Sequence, residues 1–259
     1  MAMEGGDGRF QSDRDGEGPL AVIGPTGDVL ARIADAEGLL TAAECRRASE
    51  FRRDEDRQDF IAAHALVRSC AARLLGTAMA SLTVAQCCPT CGGPHGKPAI
   101  AGFPGLHVSL AHSRGVVAAA AGFGPIGIDV EALGGRPVSA GELDSVLAPR
   151  EILAQARAGN DQLALLRQWV RKEALVKIGV ATLTTLSSVD LADLPLDGEG
   201  SNGQARNHGW NGLFLLDWLD VRMGAIGTVV AAMPVRLETW ARAIGGGVLG
   251  SVQRPGSYR

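Results

Sequence analysis

Lysine is nearly absent from this chain: of 25 basic residues, only Lys97, Lys172 and Lys177 are lysines, and the rest are arginines. Codon usage accounts for such a bias, and chance alone could leave three. It still makes each remaining lysine a candidate for work that a compact point charge does better than a planar guanidinium, such as meeting a phosphate. Long apolar runs are missing too. None approaches the roughly 18 residues that span a bilayer, which excludes a membrane-spanning helix. The opening residues, MAMEGGDGRFQSDRDGEG, have no apolar core and do not read as a secretory signal. Five cysteines are an odd count, too sparse for a disulfide scaffold in 259 residues, so the chain reads as a soluble protein of a reducing cytoplasm. There is no excess of positive charge: a net charge of −3 excludes a generally basic nucleic-acid binder.

Hydrophobic residues make up 46% of the chain, enough for one large domain or two halves with proper cores. Residues 1–18 and 245–259 are Gly-rich and polar or loose in pattern, and are expected to be disordered tails. Between them the pattern predicts an N-terminal half over 19–123 and a C-terminal half over 124–244. A helix is expected from Thr41 to Arg53, with Thr41 as N-cap and Glu44 three residues on. FIAAHALVRSCAARLLG reads as an amphipathic helix capped by Gly76. GVVAAAAGF and PIGIDVE read as strands, and two helical stretches follow Pro149. Gly198 to Gly212 is expected to be a long polar loop, with LFLLDWLDV and GTVVAAMPV as paired strands after it.

Two internal echoes follow. VRSCAARLLG (Val67 to Gly76) lines up with VRKEALVKIG (Val170 to Gly179), and GVVAA at Gly115 with GTVVAA at Gly227. Helices ending in Gly and Ala/Val strands are common, so chance remains an alternative. If the echoes are real, the chain is two similar α+β halves with a ligand crevice between them. Cys70 then lies opposite Glu173, and Leu74 opposite Lys177, so only the second half carries charged chemistry.

Three constellations carry chemistry. In GIDVE, Asp129 and Glu131 stand two apart at the end of an apolar strand, so both carboxylates project to one face. Such a pair suits a hard cation such as Mg²⁺; a solvated strand end is the alternative. In QWVRKEALVKIG, Glu173 and Lys177 share a helix face with Trp169 while Lys172 lies alongside. That is either an ordinary Glu–Lys pair or a third carboxylate with two phosphate-binding lysines. In HGKPAIAGFPGLHVSLAHSRG, Lys97 sits in a turn-like setting, and His112 and Ser113 just precede a strand. His112 is either a structural histidine or a donor to phosphate.

Together these motifs resemble the Sfp-type 4′-phosphopantetheinyl transferase family: GKP, AHS, then GIDVE, a gap of about 40 residues, and WVRKEALVK. The resemblance covers about Cys45 to Val235. It implies an α+β pseudo-dimer of two similar α/β halves, a monomer with its active site between them. It further implies transfer of the phosphopantetheine arm of coenzyme A to a serine of apo acyl or peptidyl carrier proteins. By similarity, Asp129, Glu131 and Glu173 would hold Mg²⁺ or Mn²⁺, and Glu173 and Lys177 would be catalytic. Lys97, His112, Ser113, Lys172 and Lys177 would contact coenzyme A, as would Arg47, with Arg52, Arg53 and Arg57 as looser candidates. The arginine- and alanine-rich composition is of the kind that high-GC bacteria encode, where such enzymes often serve polyketide and nonribosomal peptide pathways rather than fatty-acid carriers alone.

Some residues depart from the family pattern. SLAHS places Ser109 and Ala111 where the family often has Asn and Ser, and Phe60 falls near a position where a small hydroxyl residue touches the nucleotide. The loop CCPTCGGPH offers Cys87, Cys88, Cys91 and His95 as zinc ligands, or is a loop of reduced thiols. The reading from another class is a non-catalytic module that binds coenzyme A or a carrier protein.

Overall fold

The computed structural model describes residues 18–88, 92–93, 96–135, 145–157, 159, 161–196 and 202–240. Among them are ten strands, β1 Leu20–Pro25, β2 Val84–Gln86, β3 Pro98–Ile100, β4 His107–Ser113, β5 Val116–Gly122, β6 Ile126–Ala132, β7 Ala205–Trp210, β8 Leu213–Asp220, β9 Ala225–Ala231 and β10 Arg236–Thr239. Five α-helices accompany them, α1 Thr26–Arg32, α2 Ala42–Ser49, α3 Asp54–Leu75, α4 Pro149–Arg157 and α5 Gln162–Ile178. The strands form a six-stranded sheet in the order β10-β1-β5-β4-β3-β2 and a four-stranded sheet in the order β6-β9-β8-β7.

Alternation along the strands produces four layers. Leu20 and Val22 of β1 and Val117, Ala119 and Ala121 of β5 face α3, where Ala62, Leu66 and Cys70 meet them. The alternate residues, Ala21, Ile23, Ala118 and Ala120, face the second sheet and pack on Ile128, Val130, Leu216, Trp218 and Val229. The far face of the second sheet, with Leu215, Val230 and Ile226, packs against Val170, Ala174, Leu175 and Ile178 of α5. Strand β5 is buried along its whole length, and its alanines bring α3 and the second sheet close to it from both sides. Packing on two faces overrides the weak strand preference of alanine.

The order strand, helix, then antiparallel strands occurs twice. β1 pairs with β5 and β5 with β4, with α3 between β1 and β4 in the chain; β6 pairs with β9 and β9 with β8, with α5 between β6 and β8. The boundary expected near residue 123 falls between the sheets, yet β10 crosses back to pair parallel with β1, Leu20 opposite Arg236.

Local chemistry sets the helix ends. Thr41 and Glu44 form a reciprocal capping box: the Glu44 amide donates to Thr41 Oγ1 at 3.2 Å and the Thr41 amide to Glu44 Oε2 at 2.6 Å. The helix it starts stops at Ser49, short of the expected Arg53. Gly76 and Gly179 cap α3 and α5 in the left-handed conformation, at φ 64° and 94°. Helix α3 begins at Asp54, before the expected Phe60, and is buried nearly all round rather than amphipathic. Its polar residues are absorbed: Arg68 and His64 both engage Glu44, at 2.7 and 2.5 Å. The region expected to be loop from Gly198 to Gly212 contains β7, paired with β8 from Ala205↔Trp218 to Trp210↔Leu213. Its polarity fits a sheet edge, where residues alternate between exposed and half-buried.

Candidate active site

Gly127 lets the two charged motifs meet. A side-chain carbon there would lie 2.3 Å from the Ala174 carbonyl oxygen and 2.7 Å from the Ile178 amide nitrogen, so α5 rests directly on β6. The odd positions of β6 therefore face the helix while Ile126, Ile128 and Val130 fill the core between the sheets. Asp129 is buried on that face and receives a hydrogen bond from Lys177 Nζ at 2.7 Å. Lys177 also donates to the Leu110 carbonyl of β4 at 3.3 Å. Trp169, Glu173 and Lys177, four residues apart, lie half-buried along one face of α5.

Strand β4 runs beside β6 and is tied to it by two hydroxyls. Ser109 Oγ accepts the Ile128 amide at 3.0 Å. Ser113 Oγ donates to Glu131 Oε2 at 2.6 Å and accepts the Ala132 amide at 3.3 Å. Ser109 thus joins the layers, and Ala111 packs into the core between the sheets.

Burial dominates the electrostatics. It pushes the carboxyls of Asp129, Glu131 and Glu173 above their ordinary range. Negative charge on Asp129 raises both glutamates further, while Lys177 works the other way on all three. Burial lowers the His112 imidazole, opposed by Asp59.

The three carboxylates offer only hard oxygen donors, and Asp129 Oδ2 is a buried oxygen with no hydrogen-bond partner. That chemistry fits a divalent cation of the Mg²⁺ type. As the side chains stand, no group of three or more His, Cys, Asp or Glu among the described residues is closed up as a ready-made metal centre.

Other residues singled out in the sequence fall elsewhere. Lys172 is fully buried, 2.8 Å from the equally buried Glu151, and donates to the carbonyls of Leu186 and Val189. It points into the packing between α5 and α4 and does not lie alongside Glu173 and Lys177; one residue around a helix turns a side chain by about 100°. Lys97 is exposed in the bend before β3, and its charge acts on His107. Arg47 is exposed, paired with Glu50 at 2.8 Å and placed over the Phe51 ring at 5.2 Å. With Thr41, Glu44, Phe60 and Gln86 it lines a shallow cleft. Phe60 packs on the rings of Phe51 and His64, centroids 5.5 and 4.1 Å away. Arg52 and Arg53 are exposed before α3, and Arg57 on its first turn pairs with Glu37. Of the cysteine loop, Cys91 and His95 lie outside the described residues, as do residues 1–17 of the first tail and the whole of the second, 245–259.

The structure also gives roles to residues that motif reading passed over. Glu151 and Asp217 neutralise the buried Lys172 and the buried Arg167 and Arg171. Asp59, buried on α3, accepts hydrogen bonds from Thr26 Oγ1 and the Gly115 amide. Only Asp217 left a signal in the sequence, an acid inside the apolar stretch LFLLDWL; Asp59 and Glu151 stand beside other charged residues.

Residues 125–217 match the family model of the 4′-phosphopantetheinyl transferase superfamily. The matched span contains Asp129, Glu131, Glu173 and Lys177 together with β6 and α5. No curated protein matches the chain.

Proposed function

We propose that this protein is an Sfp-type 4′-phosphopantetheinyl transferase that moves the phosphopantetheine arm of coenzyme A onto a serine of an apo acyl or peptidyl carrier protein. The observation that carries the proposal is the meeting of Asp129, Glu131 and Glu173 with Lys177 inside the segment that matches the superfamily. The repeated strand and helix order supports reading the chain as a pseudo-dimer with coenzyme A held between its halves. The chain acts as a cytoplasmic monomer, on the carriers of polyketide, nonribosomal peptide or fatty-acid assembly.

The carrier serine oxygen attacks the β-phosphorus of coenzyme A. A phosphodiester bond to the serine forms, the bond from that phosphorus to the bridging oxygen breaks, and 3′,5′-ADP leaves. Glu173 takes the hydroxyl proton, directly or through one water. Its raised pKa brings a carboxylate closer to the working pH of a general base. Lys177 trades part of its contact with Asp129 for a phosphate oxygen and opposes the charge that develops there. His112 donates to a coenzyme A phosphate. Ser113 holds Glu131 by its hydroxyl and is placed to orient that carboxylate. Asp129, Glu131 and Glu173 would hold Mg²⁺ or Mn²⁺, which when bound neutralises pyrophosphate charge.

Lys172 has no part in this scheme beyond supporting α5, given its burial against Glu151. Arg47 and the arginines before α3 are the candidates for the 3′-phosphate. A non-catalytic module would bind coenzyme A and stop there. Chromatography of 3′,5′-ADP separates the two: release that requires both apo-carrier and Mg²⁺, and stops with a chelator, supports transfer. Coenzyme A binding without release, on a panel of carriers, supports the module.

A further inference from the structure

The hairpin that carries His112 and Ser113 turns through two residues, Arg114 and Gly115, both with positive φ, 42° and 87°. This is the type I′ geometry of a two-residue hairpin. Glycine takes that conformation freely, but arginine populates it sparsely. The turn is clamped from outside the hairpin. The Gly115 amide donates to Asp59 at 3.0 Å (Oδ2) and 3.2 Å (Oδ1). The Gly115 carbonyl accepts the Thr26 amide at 2.8 Å, and Thr26 Oγ1 donates to Asp59 Oδ1 at 2.5 Å. Three separate pieces of chain, the start of α1, the second turn of α3 and the hairpin tip, thus converge on one carboxylate. That carboxylate is 2% exposed, so its hydrogen bonds are held away from competing water.

Two residues back from Gly115, Ser113 grips Glu131. We infer that Asp59 is a positioning residue for this site, fixing the hairpin tip so that Ser113 meets Glu131 and His112 faces the phosphates. The inference rests on the transferase reading for what His112 and Glu131 do, but the clamp itself can be tested without it. Thr26 serves the same purpose from the other side. Neither residue lies in a recognisable motif, because the contacts span 33 and 56 positions.

The test is a double-mutant cycle with Asp59→Ala and Ser113→Ala, read by calorimetric titration of coenzyme A, by kcat and KM for transfer, and by exchange of the Gly115 amide proton. In Asp59→Ala the amide is expected to exchange at least about tenfold faster, and coenzyme A affinity to fall about tenfold, the effect of losing a buried charge-assisted hydrogen bond. Asp59→Asn, which keeps an acceptor, should recover most of that affinity. Once Asp59 is gone, Ser113→Ala should cost clearly less in kcat/KM than it does alone, because both act through one turn. If Asp59→Ala fails to fold, Thr26→Ala takes its place in the cycle with the same expectation. Unchanged Gly115 exchange, or strictly additive effects in the cycle, overturns the positioning role. A wild-type protein that shows the protected Gly115 amide but binds no coenzyme A overturns the transferase reading and leaves the clamp standing.

Discussion

Lys177 donates to Asp129 across 2.7 Å although the two residues are 48 positions apart, one on α5 and the other on β6. Asp129 is nearly inaccessible, while Lys177 keeps about a quarter of its side chain exposed. The acid is therefore fixed by the fold and the base is the partner free to turn toward a ligand. That asymmetry, with Glu131 and Glu173 in electrostatic reach, sets what each substitution should do.

Asp129→Asn and Glu173→Gln keep shape and remove charge. Each should lower transfer by at least about a thousandfold, the scale of losing a principal electrostatic group in an active site. Stability should hold or rise slightly, because burial raises both carboxyls and so makes their charged forms a cost to the folded state. Parallel kinetics and thermal melts check this; full activity in either variant contradicts the assignment.

The two lysines of α5 should separate cleanly. Lys177→Ala should weaken coenzyme A binding and slow transfer while shifting the melting temperature little. Lys172→Ala strands the buried Glu151 carboxylate without its cation and should cost about 3–5 kcal/mol of stability. Urea titration and coenzyme A calorimetry on both variants give the comparison. A folded Lys172→Ala protein of normal stability but poor coenzyme A affinity would restore Lys172 to the site.

This pair also marks where the sequence was legible. GIDVE and WVRKEALVK showed which side chains share a face, because alternation in a strand and four-residue spacing on a helix fix that, and the fold brings Asp129 and Lys177 together. They could not tell which of two nearby lysines turns inward, since that depends on Glu151 in a different helix. The capping box at Thr41 was readable because both of its members are local. Strand β7 was not, since a polar edge strand has the composition of a loop and owes its form to pairing with β8. Asp59 was unreadable for the same reason: its partners lie in other elements.

Gly127→Ala tests how α5 is seated. The added methyl meets backbone at 2.3 Å, which no side-chain rotation relieves, so the helix must lift from β6. Overpacking of this kind costs about 1–3 kcal/mol, and transfer should suffer beyond the loss of stability because Glu173 and Lys177 move with the helix. Activity at a temperature where the variant is fully folded is the measurement.

Part of the acid sensitivity should arise from Glu44. Burial alone would raise its carboxyl, but hydrogen bonds from His64, Arg68 and the Thr41 amide outweigh burial and hold it at about 2 against an ordinary 4.5. A depressed acid contributes stability that is complete above pH 4.5 and is lost as pH falls toward 2, here about 3 kcal/mol. Asp129, Glu131 and Glu173, with raised values, slope the other way and favour the fold as pH falls. Denaturant midpoints of the wild type and Glu44→Gln should therefore draw together between pH 6 and pH 3, the variant keeping only the acid loss that other depressed carboxyls such as Asp217 contribute.

The central claim is that the group around Asp129 moves phosphopantetheine onto a protein serine. Intact-protein mass spectrometry of apo carrier proteins incubated with this protein, coenzyme A and Mg²⁺ tests it most directly. The account predicts a gain of one phosphopantetheine on at least one carrier, lost on chelation and lost in Asp129→Asn. A carrier that gains the same mass equally well with Asp129→Asn, or a full panel that gains none while coenzyme A is bound, would contradict it.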